Sequence, residues 1–163
     1  MSVSILDKLT PKVHAGYIVE DVEACLKSVQ EKFGCALDVQ SYIFAPTKSW
    51  SGGVDLGKLE MRIAMCPIGD KISMEFIQPL TPAGYHFLSL VASGDNLNHL
   101  AFTTDRFDEC RAEVEAMGAV FVYEMVANDP VKGYRRNIYA KIPDIPGIVE
   151  ILENATAYRP EEA

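Results

Sequence analysis

The sequence has little positive charge, no long apolar run and no secretory signal. Its 163 residues include 15 Lys and Arg against 23 Asp and Glu, which gives a formal net charge of -8. A nucleic-acid interface needs a concentrated basic face, so we expect no nucleic-acid partner. No apolar stretch approaches the roughly 20 residues of a membrane span, and the first residues lack the basic and apolar regions of a signal peptide. We therefore expect a cytoplasmic protein without a membrane partner.

Disulfide and zinc-knuckle patterns are also missing. The four cysteines, Cys25, Cys35, Cys66 and Cys110, form no C-x-x-C pair and lie in apolar or helical patterns. We interpret them as reduced thiols in or near the core. What the chain does have is the composition of a folded globular protein, with 48% hydrophobic and 23% charged residues. Its length fits one domain or two small fused modules.

Two similar halves follow one another along the chain. After a short leader, residues 1–11, the segment 12–80 shows the pattern of a strand, a helix and three further strands. A linker, 81–96, precedes a second segment, 97–153, with the same order, and a polar tail covers 154–163. The predicted fold class is therefore α+β, with two tandem βαβββ modules and eight strands in all.

The longest stretch of turn-forming residues covers 45–57 and reads A-P-T-K-S-W-S-G-G-V-D-L-G. Its only large side chain is Trp50. Long loops in compact domains are often lids over functional sites. A lid and a disordered excursion both agree with this composition, and the sequence leaves the two open.

Each half opens on a histidine and closes on a glutamate. His14 and His99 lie on the two first strands, 85 residues apart, and the helix cysteines at 25 and 110 have the same offset. Glu75 and Glu150 lie within apolar runs that read as the last strand of each half. An ionised carboxylate is costly in such a strand unless it is paired, hydrogen-bonded or bound to a metal. Glu75 and Glu150 therefore need such partners elsewhere in the chain.

Because the sequence is duplicated, the two histidines and the two glutamates occupy equivalent positions in the two halves. A pseudo-twofold arrangement of the halves therefore places all four at one centre. Two imidazoles and two carboxylates suit one divalent ion, and mixed nitrogen and oxygen ligands do not choose among Mn, Fe, Co, Ni and Zn. The sequence thus predicts a metal site made of His14, Glu75, His99 and Glu150. For each residue taken alone, the alternative is a satisfied core histidine or a solvent-facing glutamate.

These segments resemble a known family. The opening V-H-A-G-Y-I-V-E-D-V, the central N-H-L-A-F and the closing G-I-V-E-I-L are similar to the vicinal oxygen chelate superfamily, which contains glyoxalase I, methylmalonyl-CoA epimerase, bleomycin-resistance proteins and extradiol dioxygenases. The similarity extends over residues 12–153. It implies that the two modules form one curved mixed sheet of eight strands around a metal site. It also implies metal-ligand roles for the same four residues, His14, Glu75, His99 and Glu150.

Within the superfamily, the epimerases are the most similar branch, through M-E-F-I-Q-P-L, the following F-L and then N-H-L-A-F. There are three departures. Asn98 stands where that branch has the first histidine of a pair, and P-V-K-G-Y-R-R stands where it has a Gly-His-Gly loop. No residue matches its second catalytic glutamate, although Asp55, Lys58 and Glu60 lie near the position concerned.

The resemblance implies a metal-dependent epimerase or isomerase that removes an α proton from a chelated acyl substrate through an enolate. Glu150 is then a ligand that also acts as the base. The fourth ligand, Glu75, disfavours ring-cleaving dioxygenases, which use two histidines and one carboxylate. A glyoxalase I-type lyase is the alternative enzyme, and a noncatalytic binding or resistance protein on the same fold is the alternative outside enzymes.

A basic cluster in the second half, on or beside a glycine-containing loop, consists of Lys132, Arg135, Arg136 and Lys141. It is either a solvated surface or the binding site for an anionic substrate such as an acyl-CoA, which arginine would meet in bidentate geometry. His86 has no counterpart in the other half, and we interpret it as a structural or surface residue. We expect a homodimer, and the sequence leaves open whether the site lies within one chain or between two.

Overall fold

The computed structural model describes residues 4–162, which form three α-helices and a ten-stranded mixed sheet curled into a half-barrel. The strands are β1 (Leu9–Ile18), β2 (Tyr42–Phe44), β3 (Lys48–Ser51), β4 (Val54–Asp55), β5 (Met61–Ile68), β6 (Ile72–Pro79), β7 (Asn96–Thr104), β8 (Val120–Asp129), β9 (Gly133–Lys141) and β10 (Ile148–Glu153). The helices are α1 (Val22–Phe33), α2 (Gly84–Ser93) and α3 (Phe107–Ala116). The predicted α+β fold is confirmed.

Helix α1 shows how the local sequence sets an element's bounds. The Asp21 side chain caps its first turn by accepting a hydrogen bond from the Ala24 N–H at 3.0 Å, and Gly34 ends it in the left-handed conformation, with φ 63°. The buried residues Val22, Leu26 and Val29 share one side of the helix. That side packs against β5 and β6 in one of the core clusters.

Helix α3 covers the second half in the same way, packing against β9 and β10. Its buried residues are Phe107, Cys110 and Val114, at helical spacing. Since successive strand residues point to opposite faces, these helices leave the other face of the sheet for polar side chains. Among residues 4–162, no helix is long and apolar enough to cross a membrane.

The two halves join at the centre of the sheet, whose order is β2-β5-β6-β1-β7-β10-β9-β8-β3-β4. The opening strands β1 and β7 pair antiparallel, and each is parallel to the closing strand of its own half, β6 or β10. In the central ladder His14 is opposite Ala101 and Gly16 is opposite His99. Adding 85 to the numbers of His14 and Gly16 gives those of His99 and Ala101, so each pair is the symmetric counterpart of the other. The β1–β7 ladder therefore has the twofold symmetry of the repeat.

The sheet has two strands more than the eight predicted, and both come from the turn-rich stretch 45–57. Strands β3 and β4 form a hairpin through Gly52 and Gly53, which have φ 54° and 80°. Strand β3 then pairs antiparallel with β8, at the outer edge of the second half. This stretch of the first half is therefore neither a lid nor a disordered excursion.

The polar tail after β10 is hydrogen-bonded to the second half. Thr156 forms a β-bridge with Tyr134. The Asn128 amide binds the Arg159 backbone in both directions, donating to its carbonyl at 2.6 Å and accepting from its N–H at 3.0 Å. The division into a leader, two modules, a linker and a tail stays a prediction, whereas the strands and helices themselves are described above.

Candidate metal centre

The register of four adjacent strands gathers the predicted histidines and glutamates on the face of the sheet away from α1 and α3. Glu75 on β6 is beside Gly16, which is beside His99 on β7. Glu150 on β10 is beside Ala101, which is beside His14 on β1. Each glutamate thus lies two strands from the histidine of the other half, on the same face as that histidine.

The side chains of His14, Glu75, His99 and Glu150, here called the quartet, meet at one point. Each offers one ligand atom, and these atoms all lie within 4.8 Å of one another. His14 Nε2 is 3.2 Å from Glu75 Oε2 and 3.1 Å from Glu150 Oε2. His99 Nε2 is 3.4 Å and 3.2 Å from the same two oxygens. All four residues are buried.

These separations fit four ligands around one divalent ion. With metal–ligand bonds of about 2.1 Å, neighbouring ligand atoms lie about 3.0 Å apart in octahedral geometry and about 3.4 Å apart in tetrahedral geometry. The observed range of 3.1 to 3.4 Å falls between these values. His99 Nε2 is also buried and has no well-aligned hydrogen bond, although it lies within 3.4 Å of both carboxylate oxygens. The cluster could therefore hold a metal ion.

Without a metal, the quartet is two ion pairs. Burial lowers the pKa of His14, but hydrogen bonds to Glu150 and Glu75 outweigh burial and raise it to about 10. Burial lowers the pKa of His99 too, and its close contacts with the same two carboxylates outweigh burial and raise it to about 9. Burial raises the pKa of both glutamates, and their contacts with the two histidines outweigh it and hold both well below the usual range. The metal-free quartet is thus electrically neutral, with both imidazoles protonated.

Two asparagines hold ligands of the quartet in place. Asn137 on β9 donates to Glu150 Oε1 at 2.6 Å, which leaves Oε2 facing the histidines. Asn98 Oδ1 lies 3.1 Å from His99 Nδ1, and its amide nitrogen donates to Tyr85 and Ser89. With Asn98 as acceptor, the His99 proton lies on Nδ1 and Nε2 is free to bind a metal, an arrangement common around metal-binding histidines.

A small cavity of about 60 Å³ opens beside the quartet, and His14, Glu75 and Glu150 form part of its wall. The rest of the wall is mainly apolar and aromatic. It includes Tyr42, Phe44, Met61, Ile63, Met125 and Tyr139. A pocket that is apolar apart from a few convergent polar groups is the usual form of a small-molecule site.

The two arginines of the predicted basic cluster lie on opposite faces of β9. Arg135 lines the cavity, with its guanidinium 5.4 Å from the centre of the Phe44 ring. Lys132 lies nearby, with its ammonium 4.2 Å from the centre of the Tyr42 ring. Arg136 points to the other face, where it forms ion pairs with Glu153 and Asp108, each at 2.8 Å. The structure thus brings Arg135 to the cavity and does not bring Arg136 there.

None of the three candidates for a second catalytic acid or base reaches the cavity. Lys58 and Glu60 pair with each other at 3.4 Å, and the Lys58 side chain is 80% exposed. Asp55 is exposed and accepts a hydrogen bond from the Gly57 N–H. Among residues 4–162, Glu75 and Glu150 are the only carboxylates of the cavity wall.

The sequence interpretation missed three polar residues of this region. His86 is 2% exposed and lines the cavity, so it is not a surface residue. Asn137 is buried within the mainly apolar end of β9, and a buried amide in such a strand is itself a signal of a polar partner. In the sequence, Asn98 stands out only as a departure from the epimerase pattern. Its position next to the predicted ligand His99 nevertheless suggests a supporting role.

Solved structures with the same fold include two methylmalonyl-CoA epimerases. A variant of the Streptomyces coelicolor enzyme, in complex with 2-nitronate-propionyl-CoA, has 18% sequence identity and a TM-score of 0.64, with 91% of this chain and 99% of that chain covered. The Mycobacterium tuberculosis epimerase has 17% identity and a TM-score of 0.62, with 96% and 93% covered. At such identities the likeness shows the fold and not the activity.

A third structure with this fold carries a different name. A variant of 4-hydroxymandelate synthase from Streptomyces coelicolor has 18% identity and a TM-score of 0.55, with 90% of this chain and 49% of that chain covered. No curated protein matches the sequence.

The model of one protein family matches residues 13–136, which include three members of the quartet and most of both halves. Its description is the glyoxalase/bleomycin resistance protein/dioxygenase superfamily. The match agrees with the resemblance to vicinal oxygen chelate proteins and with the curled sheet of two similar halves. The chain therefore belongs to the glyoxalase/bleomycin resistance protein/dioxygenase superfamily.

Proposed function

We propose that this protein is a metal-dependent epimerase or isomerase that removes an α proton from a small acyl substrate. The observation that carries the proposal is the quartet, whose four ligand atoms surround one point at separations that suit one divalent ion, Mn, Fe, Co, Ni or Zn. A divalent ion bound there would act as a Lewis acid that stabilises negative charge developing on the oxygens of the substrate.

Glu150 is the proposed base. Its Oε2 faces the quartet and its Oε1 is held by Asn137, so the carboxylate has a fixed orientation at the cavity wall. A base must lie within hydrogen-bond reach of the proton it removes, which the position of Glu150 in the wall permits. Glu75 occupies the equivalent position in the other half and provides a matched comparison.

Arg135 and Lys132 are the proposed binding groups for an anionic part of the substrate. The cavity has room for the reacting end of a molecule and not for a whole coenzyme, so the larger part of an acyl-CoA would lie outside, toward these two cations. The fold neighbours support this choice, because epimerase structures with the same fold contain 2-nitronate-propionyl-CoA or methylmalonyl-CoA.

A glyoxalase I-type lyase is the second candidate, and one observation favours it. A two-base epimerase needs a second acid or base on the opposite face of the substrate, yet the cavity wall within residues 4–162 has no carboxylate beyond the quartet. A reaction in which one carboxylate removes the proton and returns it to a neighbouring atom needs only one such group. The two candidates share the metal and the base and differ in substrate.

The test is α-proton exchange in deuterated water, followed by NMR, with methylmalonyl-CoA and the hemithioacetal of glutathione and methylglyoxal as substrates. We expect the metal-loaded protein to exchange the α proton of one of them. Glu150→Gln should keep the metal, because an amide oxygen can still bind it, and should lose exchange by at least about a hundredfold. Glu75→Gln should keep both.

Two outcomes would contradict this assignment. Exchange that survives in Glu150→Gln and is lost in Glu75→Gln would transfer the role of base to Glu75. A wild-type protein that holds one metal ion per chain and exchanges neither substrate would contradict α-proton chemistry on these two substrates.

A further inference from the structure

His86 has no role in the site as described so far, although it lines the same cavity. It lies in the first turns of α2 and is 2% exposed. Neither of its ring nitrogens has a hydrogen-bond partner among residues 4–162. Buried polar atoms are nearly always hydrogen-bonded, so two unpartnered nitrogens on one side chain need an explanation.

The surroundings of His86 hold the ring without hydrogen-bonding it. Three tyrosine rings pack around it, with centroid distances of 5.4 Å to Tyr85, 4.7 Å to Tyr123 and 5.3 Å to Tyr139. The Tyr85 hydroxyl is occupied by Asn98. A phenylalanine would make the same ring contacts without burying two polar atoms, so packing alone does not account for a histidine here.

The ring is uncharged at neutral pH. Burial, and then the nearby charge of His99, lowers the pKa of His86 to about 4. A neutral imidazole has one N–H donor and one nitrogen acceptor, and it carries no charge with which to attract a carboxylate. Its natural partner is therefore a neutral group with its own donor or acceptor.

We propose that His86 is a substrate-binding residue of the cavity and that it hydrogen-bonds a hydroxyl or carbonyl oxygen of the substrate beyond the atoms that meet the quartet. This inference rests on the proposed function and narrows its substrate class. The acyl substrate would carry an anionic group for Arg135 and an additional neutral polar group for His86. A substrate lacking that group would leave the His86 nitrogens unpaired and should therefore bind more weakly by about one neutral hydrogen bond.

The experiment compares three metal-chelating probes that differ by one hydroxyl. They are propionohydroxamate, its 2-hydroxy derivative and its 3-hydroxy derivative, each added to the Zn²⁺-loaded protein. We expect at least one hydroxylated probe to bind about tenfold more tightly than propionohydroxamate, the size of one neutral hydrogen bond. His86→Phe should abolish that preference and leave propionohydroxamate binding unchanged. His86→Gln, which keeps a donor and an acceptor, should retain part of it.

NMR of protein labelled with ¹⁵N-histidine gives a direct second readout, because the chain has only three histidines. The His86 signals are those lost in His86→Phe or His86→Gln. They should move when the preferred hydroxylated probe is added and stay in place with propionohydroxamate. Both variants should bind as much Zn²⁺ as wild type, which separates a substrate contact from a general effect on the site.

The inference is overturned if neither hydroxylated probe binds more tightly than propionohydroxamate and the His86 signals do not move. The proposed function has its own indicator, because Zn²⁺ alone should shift the His14 and His99 signals. If Zn²⁺ shifts the His14 and His99 signals but no hydroxylated probe shifts the His86 signals, the inference is wrong and the metal site is supported. If Zn²⁺ leaves the His14 and His99 signals unchanged, the metal site is overturned, and the inference that rests on it is overturned as well.

Discussion

At the scale of single residues, the quartet depends on a position that has no side chain. Gly16 on β1 lies between Glu75 and His99 across the sheet. A Cβ atom built on Gly16 would overlap the imidazole of His99. The equivalent position in the second half holds Ala101, so the two halves differ where the repeat would predict identity. The absence of a side chain at Gly16 thus leaves the space that the His99 ring occupies beside β1.

We therefore expect Gly16→Ala to displace the His99 ring and to lower metal affinity by at least about tenfold, comparable with the loss of a group that orients a ligand. Isothermal titration with Zn²⁺ measures the change. Ala101→Gly is the matched control, because it alters the equivalent position without crowding an imidazole, and it should change the affinity much less. Equal affinities of wild type and Gly16→Ala would contradict the claim that this glycine positions His99.

The sequence was informative about the four quartet residues because each breaks an apolar pattern and recurs in the other half. It did not show which groups His86 and Asn98 contact, since those contacts join α2, β7 and the tyrosines of β8 and β9. Such contacts have no periodic signature. For Asn137 the sequence is partly informative. A polar amide within an apolar strand indicates that a partner is needed, but it does not indicate that the partner is Glu150.

At the scale of secondary-structure elements, β9 shows how one strand serves two purposes. Its neighbouring residues point to opposite faces, so Arg135 meets the cavity while Arg136 ties the strand to Glu153 and Asp108. Hydrogen bonds to Glu153 and Asp108 raise the pKa of Arg136 above its already high usual value. From the sequence alone, the two arginines were equivalent members of one basic cluster.

Because the two arginines lie on opposite faces of β9, the same substitution should affect substrate binding at Arg135 and stability at Arg136. Arg135→Met should raise KM for an anionic acyl-CoA by about tenfold or more, because a charge-assisted contact is lost, with little change in the unfolding midpoint. Arg136→Met should leave KM unchanged and lower the free energy of unfolding, since it strands the half-buried Glu153 carboxylate. Steady-state kinetics and thermal unfolding of both variants measure this, and an unchanged KM in Arg135→Met would assign that residue to plain surface.

The β3–β4 hairpin is the element that the sequence predicted least well. Its S-G-G-V turn is a recognised hairpin signal, yet the flanking strands are only four and two residues long. Strand β3 is held by pairing with β8, which lies more than seventy residues further along the chain. Short strands stabilised by distant partners carry little periodicity of their own, and this is why turn composition dominated the prediction.

At the scale of the whole molecule, the four quartet residues come from four central strands and from both halves. The quartet is complete within one chain, so a second chain is not needed to supply its ligands. The homodimer stays a prediction. In each half, one strand carries a histidine and another carries a glutamate. This repeat was sufficient to predict that the four side chains meet, because antiparallel pairing of two similar modules imposes twofold symmetry.

The charge pattern of the quartet gives the whole fold a pH dependence when metal is absent. The pKa of His14 is raised to about 10 and that of His99 to about 9, above an unfolded value of 6.5. Their contribution to stability is full below about pH 6.5 and is lost as the pH rises through about 9 to 10, because the unfolded chain gives up its protons first. The glutamates, whose pKa is lowered, keep their full contribution above the ordinary carboxyl pKa and lose it as the pH falls from there toward their lowered values.

We therefore expect the unfolding free energy of the EDTA-treated protein to fall between about pH 6.5 and pH 10, and urea unfolding at several pH values measures it. The His14→Gln, His99→Gln double variant should lack this slope. A metal-free protein whose stability is flat over this range would contradict the two ion pairs. Saturating metal should also remove most of the slope, because a bound ion replaces the protons of both imidazoles.

The central claim is that His14, Glu75, His99 and Glu150 hold one divalent metal ion. The most direct measurement is the metal content, by elemental analysis, of protein purified without chelators and then offered Mn, Fe, Co, Ni and Zn. The account predicts one ion per chain in wild type and a large loss of metal in Glu75→Ala, with activity falling in parallel. A folded wild-type protein that retains none of these ions, or a Glu75→Ala variant with full metal content and full activity, would contradict it.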